Sequence, residues 1–472
     1  MLQRALTLST CLSLCPVLGL SQLEHRLASF FHARAALFFG SGFEANVSIF
    51  STLPQPNDLV LYDELIHASV HDGMRQSRAS ERRRVTFQHN DLDELERLLR
   101  RFCLAEQKEA STSSADEEAE ADAACFANAL RQRKANVFIA VESVYSMDGD
   151  LCPLPSLCAL ARRFVPPECL HIIVDEAHST GTYGPEGRGL CVGLGLSGAE
   201  SGIKVRLATF GKAAGASGAV VLCDELTRRY LVNYARPFIF STAPPQAVLM
   251  AAHAAIDVLE RDNVGGLRRT VVRTRTRLLL DGLREVVAYA AEAAAKTTMT
   301  HSEQRPLLAL IPALAHPPSA GSTLQGGQDA TAFEPPSPIV PLLTPQARPL
   351  SAYLQRRGFL VRPITYPTVP LGQDRVRICV HAGNEEEEVR GLCAAMRDWV
   401  DGELSKRRNE EEEGGAATTT TTSNDDTGTR TAWQGASASS FRLFRRPDED
   451  SMTSNAAALS GRPRYRAVAP KL

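Results

Sequence analysis

Three short segments place residues with chemical potential where predicted strands end, which is where ligands bind in open α/β sheets. In HIIVDEAHSTG, an apolar run leads to Asp175, and His178 follows three residues later. In TFGKAAGASGAVV, Lys212 lies in a turn bordered by glycine and alanine, which allow close approach of a ligand. In FFGSGFEANVSIF, Gly40 and Gly42 lead from a predicted strand into a predicted helix. These segments are the candidate site.

Each of the three segments could bind a different part of the same cofactor. A buried aspartate needs a cation or a hydrogen-bond donor, and a protonated pyridine nitrogen is such a partner. A lysine in a desolvated pocket has a lowered pKa and forms Schiff bases with carbonyls, as in pyridoxal phosphate (PLP) enzymes. Backbone amides at a helix N-terminus bind phosphate. Taken alone, Lys212 would be interpreted as a surface lysine, and the turn at Gly40 and Gly42 as an ordinary loop. Together, in this chain order, they predict a fold-type I PLP enzyme.

The elements around these segments predict an α/β fold. Between residues 21 and 256, helical stretches alternate with seven β-rich runs, which favours a largely parallel sheet: AALFF, DLVLYD, RVTFQ, NVFIAVES, HIIVDEA, VRLATFG and AVVLC. Residues 257–402 predict a smaller α+β domain. An acidic surface insertion at 104–124, a loop at 315–337 and a disordered tail at 403–472 complete the expected organisation.

Composition narrows the class of protein. The 472 residues carry 52 basic and 54 acidic side chains, a net charge of −2, so a nucleic-acid-binding polycation is excluded. Only seven of the basic residues are lysines, so a lysine inside a motif stands out. The eleven cysteines form no C-x-x-C pair, and we expect a reducing compartment and no metal site.

From about residue 20 to 402 the sequence resembles the α-oxoamine synthases, a family of PLP-dependent, class II aminotransferase-like enzymes. The similarity is densest to the branch that makes 8-amino-7-oxononanoate, in these segments: YDELIHASVHDG, FQHNDLDELERLL, ESVYSMDGDLCPLP, VDEAHSTGTYGPEGRG, TFGKAAGASGAVVLC and NYARPFIFSTAPP. The resemblance implies a large PLP-binding domain, a small C-terminal domain and a homodimer with shared active sites.

The resemblance also implies roles for single residues. Lys212 would hold the cofactor and move the α-proton of the amino-acid substrate, and Asp175 would pair with the ring nitrogen. His67 would stack on the ring, and His178 would lie near its phenolic oxygen. Further cofactor contacts are implied for Ser41, Gly42, Phe43, Glu142, Ser146, Thr209, Ser241 and Thr242. Of these, the last two would reach the phosphate of the neighbouring subunit.

The segment VRPITYPTVPLGQDRVRICVHAG resembles the part of the family that binds the substrate carboxylate. Arg377 is the best match, and Arg375 lies on the same face of the predicted strand, so either guanidinium could serve. The stretch ITYPTVP stands where bacterial relatives carry an arginine.

The implied reaction condenses an amino acid, expected to be L-alanine, with an acyl-CoA, expected to be pimeloyl-CoA. It gives 8-amino-7-oxononanoate, CoA and CO2, in biotin biosynthesis. Three other synthases share this core and stay open: glycine C-acetyltransferase, a serine palmitoyltransferase-like enzyme and a secondary-metabolite homologue. A catalytically impaired truncated homologue is the further alternative.

The two ends of the sequence carry expectations of their own. Residues 1–20 do not resemble the N-terminal segment of the family, which favours an atypical or truncated lead-in. The apolar run within them is too short to span a bilayer, so no membrane segment is expected. The final residues Pro470, Lys471 and Leu472 are a loose variant of a peroxisomal address, so we expect a peroxisomal or cytoplasmic protein.

Overall fold

The computed structural model describes residues 15–106, 115–295, 306–315 and 337–417. The strands in these ranges are β1 (Ala35–Phe39), β2 (Leu59–Asp63), β3 (Arg84–Phe87), β4 (Val137–Glu142), β5 (Leu170–Asp175), β6 (Ile203–Thr209), β7 (Ala219–Cys223), β8 (Ala309–Leu310), β9 (Ile339–Leu343), β10 (Arg362–Ile364) and β11 (Arg375–Cys379). The helices are α1 (Cys15–Phe30), α2 (Gly42–Thr52), α3 (Ala68–Arg75), α4 (Leu92–Cys103), α5 (Ala115–Arg131), α6 (Leu154–Phe164), α7 (Leu190–Gly193), α8 (Glu225–Tyr234), α9 (Arg236–Phe240), α10 (Gln246–Glu260), α11 (Leu267–Ala295), α12 (Pro312–Ala315), α13 (Ala347–Arg356) and α14 (Glu386–Ala417). A π-helical turn, Asp262–Gly266, joins α10 to α11.

Strands β1 to β7 form one sheet in the order β1-β7-β6-β5-β4-β2-β3. The five strands from β6 to β3 in this order pair in parallel, and β7 is antiparallel to both β6 and β1. All seven strands predicted from the sequence are present, so the predicted α/β sheet is confirmed.

Helices cover both faces of this sheet. Along β4, Ile139 and Val141 pack in one core cluster with residues of α4, α5 and α6, whereas Phe138 and Ala140 pack in another with residues of α2, α3 and α8. A strand that is buried on both faces has a continuous apolar sequence, and β4 shows this in the run VFIAV. Polar residues such as Asp63 and Asp175 stand at the carboxyl ends of β2 and β5.

Strands β8 to β11 form a second, antiparallel sheet in the order β10-β11-β9-β8. A separate core joins this sheet to α11, α13 and α14. Both sheets lie in one compact unit that ends at Gly414. The smaller sheet and its helices belong to the predicted α+β domain. The domain boundary at 256/257 stays a prediction.

The predicted acidic insertion at 104–124 is partly a helix. Helix α5 begins at Ala115, and its residues Ala123 and Ala124 are buried on the sheet. Alanine and glutamate are strong helix formers, and the alanine side packs while the acidic side faces solvent. Residues 107–114 of the insertion lie outside the described residues.

The predicted end of the ordered chain at residue 402 is too early. Helix α14 continues to Ala417, and Leu404 is buried in the core of the second sheet. An ion pair between Lys406 and Glu403 adds a contact along the helix. The buried apolar face of the helix therefore extends at least to Leu404, past the predicted end at residue 402.

Several predicted segments lie outside the described residues: 1–14, 316–336 and 418–472, the last of which includes the predicted address at 470–472. In the described ranges, no helix is both long and apolar enough to cross a membrane. The same ranges contain no cluster of three metal-ligating side chains.

Candidate active site

The candidate site lies where neighbouring parallel strands end. Asp175 is the last residue of β5, and its register partner on β4 is Glu142, the last residue of that strand. Lys212 follows β6, the strand on the other side of β5, by three residues. The topology therefore brings the predicted lysine and aspartate to one edge, together with a second carboxyl group.

Asp175 is buried and accepts hydrogen bonds from neutral donors. The Asn46 Nδ2 group donates to Asp175 Oδ2 at 2.8 Å, and the amide of Ala177 donates to Oδ1 at 2.9 Å. Among the described residues, Asp175 has no ion-pair partner. A buried carboxylate without a countercharge is a site that favours a bound cation such as a protonated ring nitrogen.

A short hydrogen-bonded chain connects Asp175 to His67. Asn46 Nδ2 also donates to Ser69 Oγ at 3.0 Å, and Ser69 Oγ lies 2.7 Å from His67 Nδ1. His67 is the N-cap of α3, since its Nδ1 accepts from the amide of Ser69. The structure therefore fixes the orientation of His67 through two polar residues, Asn46 and Ser69, that the sequence analysis did not identify.

Lys212 is in hydrogen-bond contact with His178. The Nζ to Nε2 distance is 2.8 Å. Desolvation, aided by the charges of Lys212 and Arg377, lowers the pKa of His178 to about 3, so the imidazole is neutral at neutral pH. Desolvation also lowers the pKa of Lys212, against the opposing effect of Asp175 and Glu142. A lysine with a lowered pKa gives up its proton more readily, as a nucleophile and base must.

Glu142 is a buried carboxyl group in the same site. Its Oε1 atom has no hydrogen-bond partner in the described part of the chain. Desolvation and the adjacent Asp175 raise the pKa of Glu142 well above its usual range. A raised pKa favours the neutral form of Glu142.

The predicted phosphate cradle is the N-terminus of α2. Ser41 caps this helix, because its Oγ accepts from the amide of Glu44 at 3.1 Å. The amides of Gly42 and Phe43 come first in the helix and have no intrahelical acceptor. A Cβ atom built on Gly42 would lie 3.7 Å from Thr209 Oγ1, so the helix start lies beside the end of β6. Four of the predicted cofactor contacts, Ser41, Gly42, Phe43 and Thr209, are thus adjacent.

The two candidate arginines have different environments. Arg377 lines a cavity of about 800 Å³ that also contains Lys212 and His178, and its Nη1 donates to the carbonyl of Ser146 at 3.0 Å. Arg375 is 2% exposed and forms an ion pair with Asp148. Arg375 does not line that cavity. The structure therefore favours Arg377 over Arg375 for the substrate, because Asp148 neutralises Arg375. Substrate binding by either arginine stays a prediction.

A second network, which the sequence analysis missed, anchors the segment that follows β4. His89 Nδ1 lies 3.0 Å from Asp63 Oδ1, and His89 Nε2 lies 2.8 Å from Asp150 Oδ2. The two aspartates more than offset the effect of desolvation and raise the pKa of His89 to about 10. Gly149, with φ of 67°, lies so close to β9 that a Cβ atom would be 2.0 Å from the carbonyl of Ile339. The segment 146–150 is thereby held between the two sheets.

This segment connects the two sheets at the site. Its Asp150 is bound to the first sheet through His89, while its Asp148 and the carbonyl of Ser146 bind the arginines of β11. The position of Arg377 relative to Lys212 consequently depends on this segment. Here Ser146 contributes its backbone carbonyl, and a contact of its hydroxyl with the cofactor stays a prediction.

Ser241 and Thr242 follow α9 and are exposed. They do not line the cavity that contains Lys212. Their predicted contact with the phosphate of a neighbouring subunit stays a prediction.

The residues present fit PLP. An amine with a lowered pKa, a buried carboxylate without a countercharge and free amides at a helix start supply partners for the aldehyde, the ring nitrogen and the phosphate. These groups agree with the cofactor predicted from the sequence, and Lys212 among them lines the cavity described above.

Comparisons with known proteins agree with this arrangement. Residues 2–396 match the family described as aminotransferase class I and II. The chain is 37% identical over 383 residues to 8-amino-7-oxononanoate synthase of Emericella nidulans, covering 80% of this chain and 77% of the relative. It is 33% identical over 381 residues to aminoacyl transferase sphA of Aspergillus fumigatus, covering 80% and 70%.

A solved structure gives the same fold. Serine palmitoyltransferase of Sphingomonas wittichii superposes with a TM-score of 0.60 at 23% identity, covering 82% of this chain and 77% of that one. Together with the lysine and aspartate at the strand ends, these matches show that the chain belongs to the α-oxoamine synthases, PLP-dependent acyltransferases within the class I and II aminotransferases.

Proposed function

We propose that this protein condenses L-alanine with pimeloyl-CoA to give 8-amino-7-oxononanoate, CoA and CO2. The observation that carries the proposal is the contact of Lys212 with neutral His178 in a cavity that also contains Arg377. The similarity to the Emericella nidulans enzyme supports this choice of substrates and a place in biotin biosynthesis.

Each group has a separate task in the reaction. When bound, PLP supplies an electron sink that stabilises negative charge at the α-carbon of an amino acid. Lys212 Nζ, with its lowered pKa, takes the α-proton, and His178 holds Nζ in position. Asp175, held by Asn46, keeps the ring nitrogen protonated. His67, at the far end of this chain of hydrogen bonds, would stack on the ring.

Arg377 is the proposed partner of the amino-acid carboxylate. Its Nη1 is anchored on the Ser146 carbonyl, and its Nε has no partner in the described residues. A guanidinium with an open donor edge suits a carboxylate. In the net reaction a bond would form between the α-carbon and the thioester carbonyl carbon, CoA would leave as the thiol, and the original carboxylate would leave as CO2, with a proton taking its place on the α-carbon.

A long-chain acyl-CoA is the second candidate substrate. Besides its polar groups, the cavity is lined by apolar side chains that include Val258, Leu259, Val272 and Ile339. Such a lining favours a polymethylene chain of any length. The name of the Sphingomonas wittichii protein, serine palmitoyltransferase, agrees with a long-chain reaction for that protein.

We also propose a homodimer. Ser241 and Thr242 are exposed beside Phe240 and Tyr234, which are 68% and 53% exposed. Large exposed aromatic side chains next to residues predicted to reach a second subunit suit a subunit contact. Size-exclusion chromatography with light scattering should give twice the mass of the chain.

Substrate profiling tests the proposed reaction. The PLP-loaded protein is incubated with L-alanine, L-serine or glycine and with pimeloyl-, palmitoyl- or acetyl-CoA, and products are identified by mass spectrometry. We expect 8-amino-7-oxononanoate from L-alanine and pimeloyl-CoA, and no product with Lys212→Ala. A dominant product from serine and palmitoyl-CoA would replace the proposal with the second candidate. Absence of every product would favour a chain that binds the cofactor without turnover.

A further inference from the structure

Three arginines line the cavity away from the cofactor groups. They are Arg268, Arg269 and Arg273, at the start of α11, and we call them the arginine wall. They border the same cavity of about 800 Å³ as Lys212. The proposed reaction of the cofactor with an amino acid assigns no role to these three arginines.

The arginine wall carries positive charge without countercharge. Arg269 is 8% exposed, yet its Nη1 donates to a backbone carbonyl, that of Leu259, at 3.3 Å. The Nε atom of Arg273 is buried and has no partner. Within the described ranges, no member of the wall forms an ion pair.

The nearest carboxylates do not neutralise the wall. Asp262 and Glu186 act on Arg269 only from beyond ion-pair distance, and Glu186 is itself bound to Arg188. Desolvation and the charge of Arg273 lower the pKa of Arg269, which is the effect of unpaired burial next to a like charge. Burial of a charge costs free energy unless a partner compensates it, so an anionic ligand would relieve this arrangement.

The other side chains that line the cavity indicate which kind of anion would fit. Apolar side chains, Val272 and Ile339 among them, share the lining with the wall and with Lys212. A ligand that fills this space has an apolar body and an anionic group. Guanidinium groups bind carboxylate and phosphate oxygens in the same bidentate manner.

We propose that the arginine wall is an anion subsite that binds the carboxylate or phosphate oxygens of the acyl-CoA substrate. The inference rests on the proposed function for the identity of that substrate, and it adds the residues that select it. A terminal carboxylate on the acyl chain and the phosphates of CoA are the two sources of such oxygens.

Equilibrium binding without amino acid tests the subsite independently of turnover. The Kd values of CoA, pimeloyl-CoA and heptanoyl-CoA are measured by calorimetry on the PLP-loaded protein and on Arg273→Met and Arg269→Met. Arg277→Met is the matched control, because Arg277 is an exposed arginine of the same helix that does not line the cavity. Retention of the Lys212-dependent absorbance band shows that each variant is folded at the site.

We expect Kd to rise about tenfold or more in the wall variants, the usual loss for a charge-assisted contact, and to stay unchanged in Arg277→Met. A rise for all three ligands assigns the wall to the CoA phosphates. A rise for pimeloyl-CoA alone assigns it to the terminal carboxylate.

Unchanged Kd values in both wall variants would overturn the subsite, as would a parent protein that binds none of the three ligands. If the wall variants lose binding but the parent makes no 8-amino-7-oxononanoate, the subsite stands and the proposed reaction fails.

Discussion

Replacing Arg375 and Arg377 one at a time should separate stability from substrate binding on a single strand. Arg375→Met removes the cation from an ion pair whose side chains are 2% and 16% exposed, and leaves Asp148 without a countercharge. Breaking a buried pair by removing one partner costs about 3–5 kcal/mol, and the partial exposure of Asp148 favours the lower end. We expect the free energy of unfolding to fall by about 3 kcal/mol.

Arg377→Met is the matched control. It loses one hydrogen bond, from Nη1 to the Ser146 carbonyl at 3.0 Å, so we expect a loss of stability of about 1 kcal/mol. Its affinity for L-alanine should instead fall about tenfold or more, because a charged contact with the substrate carboxylate is lost. Urea unfolding gives the first quantity, and titration of the PLP absorbance with L-alanine gives the second.

Equal losses of stability in the two variants would refute the assignment of Arg375 to structure. A folded Arg375→Met protein with the larger loss of alanine affinity would refute the assignment of Arg377 to the substrate.

Two further predictions concern the networks beside the site. His89→Gln should flatten the pH dependence of the free energy of unfolding. The pKa of His89 is raised from 6.5 to about 10, so the stabilisation that protonated His89 provides is complete below pH 6.5 and is lost as pH rises towards 10. The loss amounts to about 1.4 kcal/mol per pKa unit. An unchanged slope in urea unfolding between these pH values would contradict it. Asn46→Ala removes the 2.8 Å hydrogen bond to Asp175 and should raise the Kd of PLP about tenfold, measured by fluorescence titration of the apoprotein. The exposed control Asn233→Ala should keep the parent Kd, and equal values in both variants would show that Asn46 does not support the cofactor.

The sheet and the main site residues were predictable because they follow from local rules. Buried parallel strands appear in the sequence as apolar runs, and their carboxyl ends meet at one edge of the sheet. The sequence therefore predicts that Lys212 and Asp175 lie at the same edge, as the structure has them. The helix start at Gly42 likewise follows from the preceding Ser41, a favoured N-cap residue.

The rest depends on contacts between distant parts of the chain. Alternation along β11 puts Arg375 and Arg377 on one face, and only the position of Asp148, 227 residues away, shows which of them is neutralised. Asn46 looks like a polar residue within an apolar helix, and its partner Asp175 is 129 residues further along. A signal was present in that case: Asn46 lies one helical turn after Gly42, on the face that α2 turns to the sheet.

The visible absorbance of the PLP-loaded protein, before and after addition of L-alanine, tests the central claim most directly. The account predicts a Schiff-base band that depends on Lys212, is absent in Lys212→Ala and shifts when alanine is added. A band that persists in Lys212→Ala, or no band in the parent protein, would contradict the assignment of Lys212 to the cofactor.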